Sequence, residues 1–244
     1  KQRDYIMNKT YTAQAAKITL PVLFGYLAIG IPFGLMIVNA GYPWWIAPVM
    51  SLTMYAGAGQ YIAVGLFASG ASLGTIAVTE LLVNIRHIVY GLSLITKFKA
   101  AGRWKPYLIF ALTDETYSLL TGCDVPEGAD PGKFYGTIAL LDHSYWIIGS
   151  VIGAAAGTLI PFSFEGVDFA LTALFAVLLI GQIEKSHDVL PPAVGIAVTL
   201  ASIVLSRLGI LPAGNILIVS LAFGLAALIL TRGRSFRTGG EAQK

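Results

Sequence analysis

The chain has few charged residues and lacks the composition of a soluble domain. Only 12% of its 244 residues are charged, whereas about a quarter are charged in an average soluble domain. Hydrophobic residues make up 56% of the chain, and the mean hydropathy is +0.74. These values exclude an ordinary soluble protein and predict an integral membrane protein.

Cysteine and histidine are also scarce. Cys123 is the single cysteine, so an internal disulfide is impossible and cysteine pairs cannot bind zinc. The three histidines, His87, His143 and His187, lie on separate segments, and no two have metal-ligand spacing. We therefore expect no metal, no cofactor and no catalytic residue, and we do not expect an enzyme.

The basic residues do not indicate a nucleic-acid-binding surface. The net charge is only +3, and Lys and Arg fall mostly at helix ends and termini, so nucleic acid is not an expected partner. Residues 1–17 are polar and basic, and the apolar run that follows is too long for a signal-peptide core. No cleavable signal is therefore expected. The chain begins without Met, and the sequence leaves open whether residues precede Lys1.

Apolar segments of membrane-spanning length recur along the chain. A helix needs roughly 20 apolar residues to cross a bilayer, whereas barrel strands alternate over about 10. We predict an all-α, polytopic membrane protein with about seven or eight transmembrane segments, some of them interrupted. The candidate segments are 18–38, 44–67, 73–95, 107–121, 136–160, 169–183, 193–208 and 216–230. The predicted organisation is a polar N-terminal segment (1–17), a single transmembrane transporter domain (18–231) and a basic C-terminal tail (232–244).

Three basic regions mark the cytoplasmic side under the positive-inside rule. They are the N-terminus, the loop at 97–105 and the C-terminal tail. Eight spans place both termini on one side. Three spans separate the first basic region from the loop, however, and an odd number of spans places these two regions on opposite sides of the membrane. Either one segment is a re-entrant hairpin or one basic cluster lies outside. The interrupted segments favour the hairpin.

Two segments contain helix-breaking sequence. The first carries Pro32 within GYLAIGIPFG, and a proline inside a helix kinks it. The second carries YAGAGQ, Tyr55 to Gln60, near its middle. Broken backbone at membrane depth survives only inside protein or beside a wet cavity, so paired breaks indicate a transporter's substrate site. Glycines at four-residue spacing in GSVIGAAAG predict close helix packing instead.

The stretch VNIRHIVYG places polar side chains inside an apolar segment. On a helix Glu80, Asn84 and His87 share one face, and Arg86 projects to one side near Tyr90. Arg86 lies about 15 Å along the helix from the basic loop, too far for its side chain to reach it. An ionised side chain at the bilayer centre costs on the order of 3 kcal/mol, so we expect this stripe to face the bundle interior.

Acidic residues outnumber permanent cations in these spans. The acids are Glu80, Asp114, Glu115 and Asp142, against Arg86 as the permanent cation and His87 and His143 as optional ones. We expect Arg86 to pair with one carboxylate. We expect at least one acid to be protonated or in contact with water, because burial disfavours the charged form. The residues predicted to couple protons or form a buried ion pair are Arg86, His87, Asp114, Glu115 and Asp142. The alternatives are a purely structural network and, for Asp142, a place at the membrane interface.

Three motifs carry a family resemblance. YAGAGQ, NIRHIVYGLSL and LTDETYSL, in this order and spacing, resemble the large subunit of the AzlC-type branched-chain amino acid exporters, the AzlC/YgaZ family. The resemblance covers most of the chain. It implies proton-coupled export of valine, leucine and isoleucine across the bacterial cytoplasmic membrane, with methionine as a further candidate substrate. It also implies a small hydrophobic partner subunit of the AzlD type.

The residues fit an amino acid as substrate. A zwitterion needs donors for its carboxylate, acceptors for its ammonium and an apolar wall. The break at 57–60 would present helix N–H groups to the carboxylate, Asn84 or Asp114 would accept from the ammonium, and Phe33 is a candidate wall residue beside Tyr55 and Tyr90. The predicted substrate-binding residues are Tyr55, Gly57, Ala58, Gly59, Gln60, Asn84 and Tyr90.

A channel for another small solute and an intramembrane enzyme are the alternative functions. A channel would show a ring of like residues, whereas Glu80, Arg86, His87 and Asp114 form an asymmetric mixture. An enzyme that uses a metal would need clustered ligands, which the scattered histidines do not supply. Saturable movement of an amino acid would distinguish a transporter from both.

Overall fold

The computed structural model describes residues 2–159, 176, 179–180, 183–184, 187–212 and 215–239. Within these ranges every regular element is a helix, as predicted. The elements are α1 (Gln2–Asn39), α2 (Ile46–Thr53), α3 (Gly57–Ala68), α4 (Leu73–Ser93), α5 (Ile95–Phe98), a 3₁₀ helix (Lys99–Trp104), α6 (Lys105–Phe110), α7 (Asp114–Gly122), α8 (Pro131–Leu159), α9 (Leu190–Arg207) and α10 (Ile216–Gly239).

Several helices have the length and composition of membrane spans. In the described part of the chain they are Tyr11–Asn39 within α1, α8 and α9, with a fourth if Leu73–Ser93 and Ile95–Phe110, bent by 61°, form one span. Large apolar side chains on α4 are exposed, including Ile88 at 57% and Leu92 at 63%, as expected of a surface that faces lipid. The prediction of a multi-pass membrane protein is confirmed. The number of spans stays a prediction, and most of the predicted segment 169–183 lies outside the described residues.

The first span is continuous, so the predicted interruption at Pro32 is wrong. Helix α1 runs through both Pro21 and Pro32. A proline removes one backbone hydrogen bond, and the extensive packing of α1 against α8 holds the helix across that gap. The glycines around Pro32 serve this packing rather than a break.

The second span is broken, but one turn earlier than the predicted residues. Helix α2 ends at Thr53 and α3 begins at Gly57, so the break is 54–56 and the predicted residues 57–60 form the first turn of α3. Tyr55 has φ +41°, a left-handed conformation that strains a residue with a side chain. The break therefore centres on a tyrosine rather than on the glycines.

The fourth predicted span is broken as well, which the sequence analysis missed. Helix α6 ends at Phe110 and α7 begins at Asp114, so Asp114 and Glu115 lie in a first turn and not at mid-helix. Thr113 is the N-cap, and its side chain accepts a hydrogen bond from the backbone N–H of Thr116. A threonine followed by two acids is a helix-start pattern.

Helices α1 and α8 pack through glycine, as GSVIGAAAG predicted. A Cβ on Gly149 would lie 2.9 Å from the backbone oxygen of Tyr26, and one on Gly153 would collide with the backbone of Ile31. Such approaches are open only to residues without a side chain. This glycine contact fixes the two long helices that carry the site.

The residues group into two compact units. The first comprises Lys1–Gly65 and Asn84–Thr172, and the second comprises Leu66–Val83 and Ala173–Lys244. In the second unit α9 packs against α10. A groove of about 310 Å³ is lined by residues of these two helices, among them Thr199 and Ser220, and by Leu82 of α4. The candidate site lies wholly in the first unit.

Cys123 follows α7 in the connection to α8 and offers a probe of this loop. Burial raises the pKa of its thiol, and the nearby Lys97 ammonium only partly opposes this. Lys97 Nζ donates to the backbone oxygens of Leu120 and Cys123, at 2.8 and 3.1 Å.

Labelling of Cys123 by a thiolate-selective reagent should therefore need more alkaline solution than labelling of an ordinary thiol. The labelling rate should still increase with pH above about pH 9.5, whereas an ordinary thiol of pKa about 8.5 is almost fully ionised there and its labelling rate no longer changes. Lys97→Met should shift the profile further upward because it removes the opposing charge. A profile identical to that of the detergent-unfolded chain would contradict the buried position.

Candidate functional site

The breaks in two spans meet at one place in the first unit. The ring of Tyr55, in the break before α3, stacks on His143 of α8 at a centroid distance of 4.1 Å and lies 6.4 Å from Phe110, the last residue of α6. His143 Nε2 lies 3.0 Å from the Ser51 backbone oxygen, and Nδ1 lies 3.1 Å from the Tyr107 hydroxyl. A neutral imidazole that donates from Nε2 and accepts at Nδ1 satisfies both contacts.

Asp142 is buried next to this meeting point. Its side chain is 0% exposed, and Oδ2 accepts a hydrogen bond of 2.8 Å from Thr116 Oγ1. Among the described residues Oδ1 has no hydrogen-bond partner. Helix α8 begins at Pro131, five residues before the predicted start, so Asp142 lies about three turns into the helix. Asp142 is therefore buried inside the protein, and its depth in the membrane stays a prediction.

A group of hydroxyls connects Asp142 to a second carboxylate. The Tyr26 hydroxyl donates to Glu115 Oε2 at 2.9 Å and lies 2.6 Å from Thr113 Oγ1. Thr113 Oγ1 in turn lies 3.2 Å from Thr116 Oγ1. Tyr26, Thr113 and Thr116 are all buried. We call these five side chains the hydroxyl line: Tyr26, Thr113, Glu115, Thr116 and Asp142.

Gln60 belongs to a separate buried network that joins α2, α3 and α8. Its Nε2 donates to Ser51 Oγ at 3.3 Å, and its Oε1 accepts from Trp146 Nε1 at 2.8 Å. Ser51 Oγ also donates to Ser150 Oγ at 2.9 Å. Both ends of the Gln60 amide are therefore bound within the protein, and its immediate task is to hold α3 against α8.

Arg86 forms an ion pair with Asp114. Arg86 Nη1 lies 2.9 Å from Asp114 Oδ2, and the side chains are 34% and 26% exposed. The Tyr90 hydroxyl donates to Asp114 Oδ1, and the Tyr90 ring stacks on Tyr117 at 4.3 Å. Arg86 Nε is buried, without a hydrogen-bond partner among the described residues. Of the two carboxylates that the sequence left open as partners, the structure pairs Arg86 with Asp114.

The other predicted residues lie around these two groups. His87 lies beside Tyr90, with 5.9 Å between the rings, and Asn84 is half-buried on α4. The Cβ position of Gly57 lies 3.3 Å from the Trp146 ring. Ala58, Gly59 and Gln60 are buried in the first turn of α3, and Glu80 belongs to the second unit.

Two expectations from sequence need correction or completion. Phe33 is fully buried and stacks on Trp146 at 5.9 Å, as a core residue does, and its place in the wall of a site stays a prediction. Sequence analysis missed Tyr26, Thr113 and Thr116 altogether. The helix-start pattern before Asp114 would have identified Thr113, but a single tyrosine in an apolar span carries no such signal.

Ser72 lies in the sequence GASLG at 70–74, which has the Gly-x-Ser-x-Gly spacing found around the nucleophile of many hydrolases. Ser72 precedes α4, and its Oγ accepts from the Thr75 backbone N–H at 3.1 Å. This is the geometry of a helix N-cap, whereas the hydrolase motif needs a strand before the serine. Ser72 therefore does not support the enzyme alternative.

Comparison with known proteins identifies the family. The family model described as "AzlC protein" matches residues 21–160, more than half of the chain. The chain belongs to the AzlC family. The matched range contains the hydroxyl line, the Arg86–Asp114 pair and both helix breaks, so the whole candidate site lies within the part that defines the family.

Curated relatives agree with this membership. The Bacillus subtilis "Branched-chain amino acid transport protein AzlC" is 33% identical over 187 residues, which cover 77% of this chain and 74% of the relative. The Escherichia coli "Inner membrane protein YgaZ" is 29% identical over 182 residues, covering 72% and 74%. A Helicobacter pylori "Uncharacterized membrane protein" is 37% identical over 215 residues, covering 88% and 92%. No solved structure matches the chain. The predicted resemblance is confirmed, and family membership supports a transport role in a membrane.

Proposed function

We propose that this AzlC-family protein is a secondary transporter that exports branched-chain amino acids across the bacterial cytoplasmic membrane. Its substrates are valine, leucine and isoleucine, with methionine as a further candidate, and export is coupled to protons. The observation that carries the proposal is the meeting of two broken helices at Tyr55, Phe110 and His143. Broken helices inside a membrane protein are the usual framework of a transporter's substrate site.

The first turn of α3 is the proposed site for the substrate carboxylate. The leading N–H groups of a helix have no carbonyl of their own helix to bind, and the helix dipole favours an anion there. In α3 these groups belong to Gly57, Ala58 and Gly59, whose small side chains allow a ligand to approach the backbone. Tyr55 lies immediately before this turn and supplies an aromatic wall.

Asn84 and Asp114 remain the proposed acceptors for the substrate ammonium. Asp114 already binds Arg86 and accepts from Tyr90, and a carboxylate has about four lone-pair sites, so the substrate ammonium can join as a third donor. Tyr90, which shares this carboxylate, would then lie beside the substrate. The added positive charge links substrate binding to the charge balance on α4 and α7.

The partner subunit is proposed from the family resemblance. A small hydrophobic AzlD-type subunit would cover apolar helix surface that otherwise faces lipid, such as Ile88, Val89 and Leu92 on α4. Helix association in membranes depends on close packing rather than on water exclusion. We therefore expect the chain purified alone to be less stable or inactive, and co-expression with the small subunit to restore it.

Exchange of labelled leucine in proteoliposomes tests the function. Vesicles that contain the chain and its small partner are loaded with unlabelled leucine, and entry of labelled leucine is followed. We expect saturable entry that valine and isoleucine inhibit and lysine does not, and net efflux that an imposed proton gradient accelerates. Non-saturable entry would favour a channel, and chemical conversion of leucine would favour an enzyme.

A matched pair of glycine variants on α3 connects this activity to the helix break. Gly57→Leu should abolish exchange because its side chain must displace the Trp146 ring beside the break. Gly65→Leu should retain it, since a Cβ on Gly65 meets no atom of the described residues within 4 Å. Equal activity of the two variants, at equal expression, would remove the break from the transport site.

A further inference from the structure

The hydroxyl line joins two carboxylates through an unbroken series of short contacts. Glu115 Oε2 lies 2.9 Å from Tyr26 OH, which lies 2.6 Å from Thr113 Oγ1. Thr113 Oγ1 lies 3.2 Å from Thr116 Oγ1, which lies 2.8 Å from Asp142 Oδ2. The line therefore has four links, with a carboxyl group at each end and three hydroxyl groups between them.

Counting hydrogens shows what this line requires. Each hydroxyl donates one hydrogen, so Tyr26, Thr113 and Thr116 supply three hydrogens for four links. If both carboxyl groups are ionised, one link lacks a hydrogen. With Tyr26 donating to Glu115 and Thr116 donating to Asp142, the empty link is one of the two made by Thr113, where two oxygen atoms would face each other across 2.6 or 3.2 Å. One added proton supplies the fourth hydrogen.

The lack of a cation in the hydroxyl line also favours one added proton. None of the five side chains in the line is basic, and the Arg86 guanidinium is bound to Asp114 outside it. The titratable groups that face the line are Tyr55, Tyr107, His143 and Asp114. His143 is satisfied as a neutral imidazole by Ser51 and Tyr107. Two ionised carboxylates, fully buried Asp142 and half-buried Glu115, would thus lie at the ends of the line without a cation in it, which is costly.

The buried Oδ1 of Asp142 supports a neutral end of the line. This atom has no donor among the described residues. An ionised carboxylate loses more free energy than a neutral carboxyl group when one of its oxygens is buried without a hydrogen bond. A proton on Asp142 Oδ2, donated towards Thr116, leaves Oδ1 as an ordinary carbonyl oxygen.

We propose that Glu115 and Asp142 share one proton, which the three hydroxyls between them hold and conduct. When the proton is on Asp142, each group donates towards Glu115 in the order Asp142, Thr116, Thr113, Tyr26. When it is on Glu115, every donor points the other way. Passage between the two states moves one hydrogen across each link, so every hydroxyl keeps one hydrogen and one proton is transferred from end to end.

This site gives the proposed proton coupling a physical location, and in that respect it rests on the proposed function. The Asp142 end adjoins His143 and the helix break, whereas Glu115 follows Asp114 of the ion pair at the start of α7. The proton can therefore be gained at one end and lost at the other without movement of a charged side chain. The exporter would load and empty this site in each cycle.

Infrared spectroscopy of the reconstituted complex tests the shared proton without any transport measurement. At neutral pH the wild type should show the carbonyl stretch of one protonated carboxyl group. Asp142→Asn and Glu115→Gln should each abolish that band, because either amide supplies the fourth hydrogen and lets the remaining carboxyl group ionise. Absence of the band from the wild type, or its survival in both single variants, would overturn the proposal.

Removal of one hydroxyl from the hydroxyl line tests whether the line conducts the proton. Thr116→Val preserves shape and removes the hydroxyl, so it should lose the acceleration of leucine efflux by an imposed proton gradient. Thr121→Val on the same helix is the control, since Thr121 is exposed and its hydroxyl donates to the backbone oxygens of Tyr117 and Ser118 on α7. Wild-type acceleration in Thr116→Val would overturn the conducting role. If leucine exchange itself is absent from the wild type, the proposed function fails, and the infrared result still decides whether the proton is shared.

Discussion

Gly34→Ala is expected to remove most of the folded protein from the membrane. Gly34 lies on α1 where the helix meets α8, and a Cβ there would stand 2.5 Å from the backbone nitrogen of Ala154 and 3.0 Å from the backbone carbon of Gly153. It would also collide with the Ser150 backbone oxygen. These atoms belong to a helix backbone and cannot rotate away as a side chain does. A destabilisation of about 3 kcal/mol or more follows.

Gly25→Ala on the same helix provides the matched control. A Cβ at Gly25 meets no atom of the described residues within 4 Å, and alanine has the higher helix propensity. Gly25→Ala should therefore melt at or slightly above the wild-type temperature when detergent-solubilised protein is heated and followed by size-exclusion chromatography. Similar melting temperatures for the two variants would contradict the close packing of α1 on α8.

The same glycines show how far the sequence could predict the fold. The four-residue spacing on α8 correctly indicated close packing, because small residues in that pattern suit a helix interface. On α1, Gly30 and Gly34 have the same spacing, but Pro32 between them led to the prediction of a break. Whether such a stretch breaks or packs depends on the neighbouring helix, which a single sequence does not reveal.

The candidate site was predictable to a similar degree. A buried arginine needs a carboxylate, so a partner for Arg86 in the TDE motif could be expected. The choice between Asp114 and Glu115 could not, because it depends on where α7 begins. Consecutive residues on a helix point about 100° apart, and with Thr113 as N-cap Asp114 points to Arg86 whereas Glu115 points to Tyr26.

The hydroxyl line was beyond sequence reasoning for a different reason. Tyr26 and Thr113 are 87 positions apart, and neither belongs to a polar stripe. Their hydroxyls meet because glycine contacts seat α1 against α8, while the break at 111–113 turns Thr113 inward. A polar atom that gains its importance only from tertiary packing leaves no periodic pattern in the sequence.

Arg86→Ala is expected to lose both stability and transport. The arginine is bound to Asp114 at 2.9 Å, and its removal leaves a carboxylate whose remaining described partner is the Tyr90 hydroxyl. Breaking one side of a buried ion pair costs about 3–5 kcal/mol. Because the two side chains are 34% and 26% exposed, we expect the lower end of that range. The yield of monodisperse protein after size-exclusion chromatography measures the loss.

A second substitution identifies the partner and separates folding from coupling. In the Arg86→Ala background, Asp114→Asn should restore the yield, because it removes the charge left unpaired. Glu115→Gln should not, since Glu115 accepts from Tyr26 and does not face the arginine. If the ion pair also takes part in coupling, the rescued Asp114→Asn variant folds and exchanges leucine but gains nothing from a proton gradient. Normal yield and gradient-driven export in single Arg86→Ala, or equal rescue by both second substitutions, would show that Arg86 does not depend on Asp114.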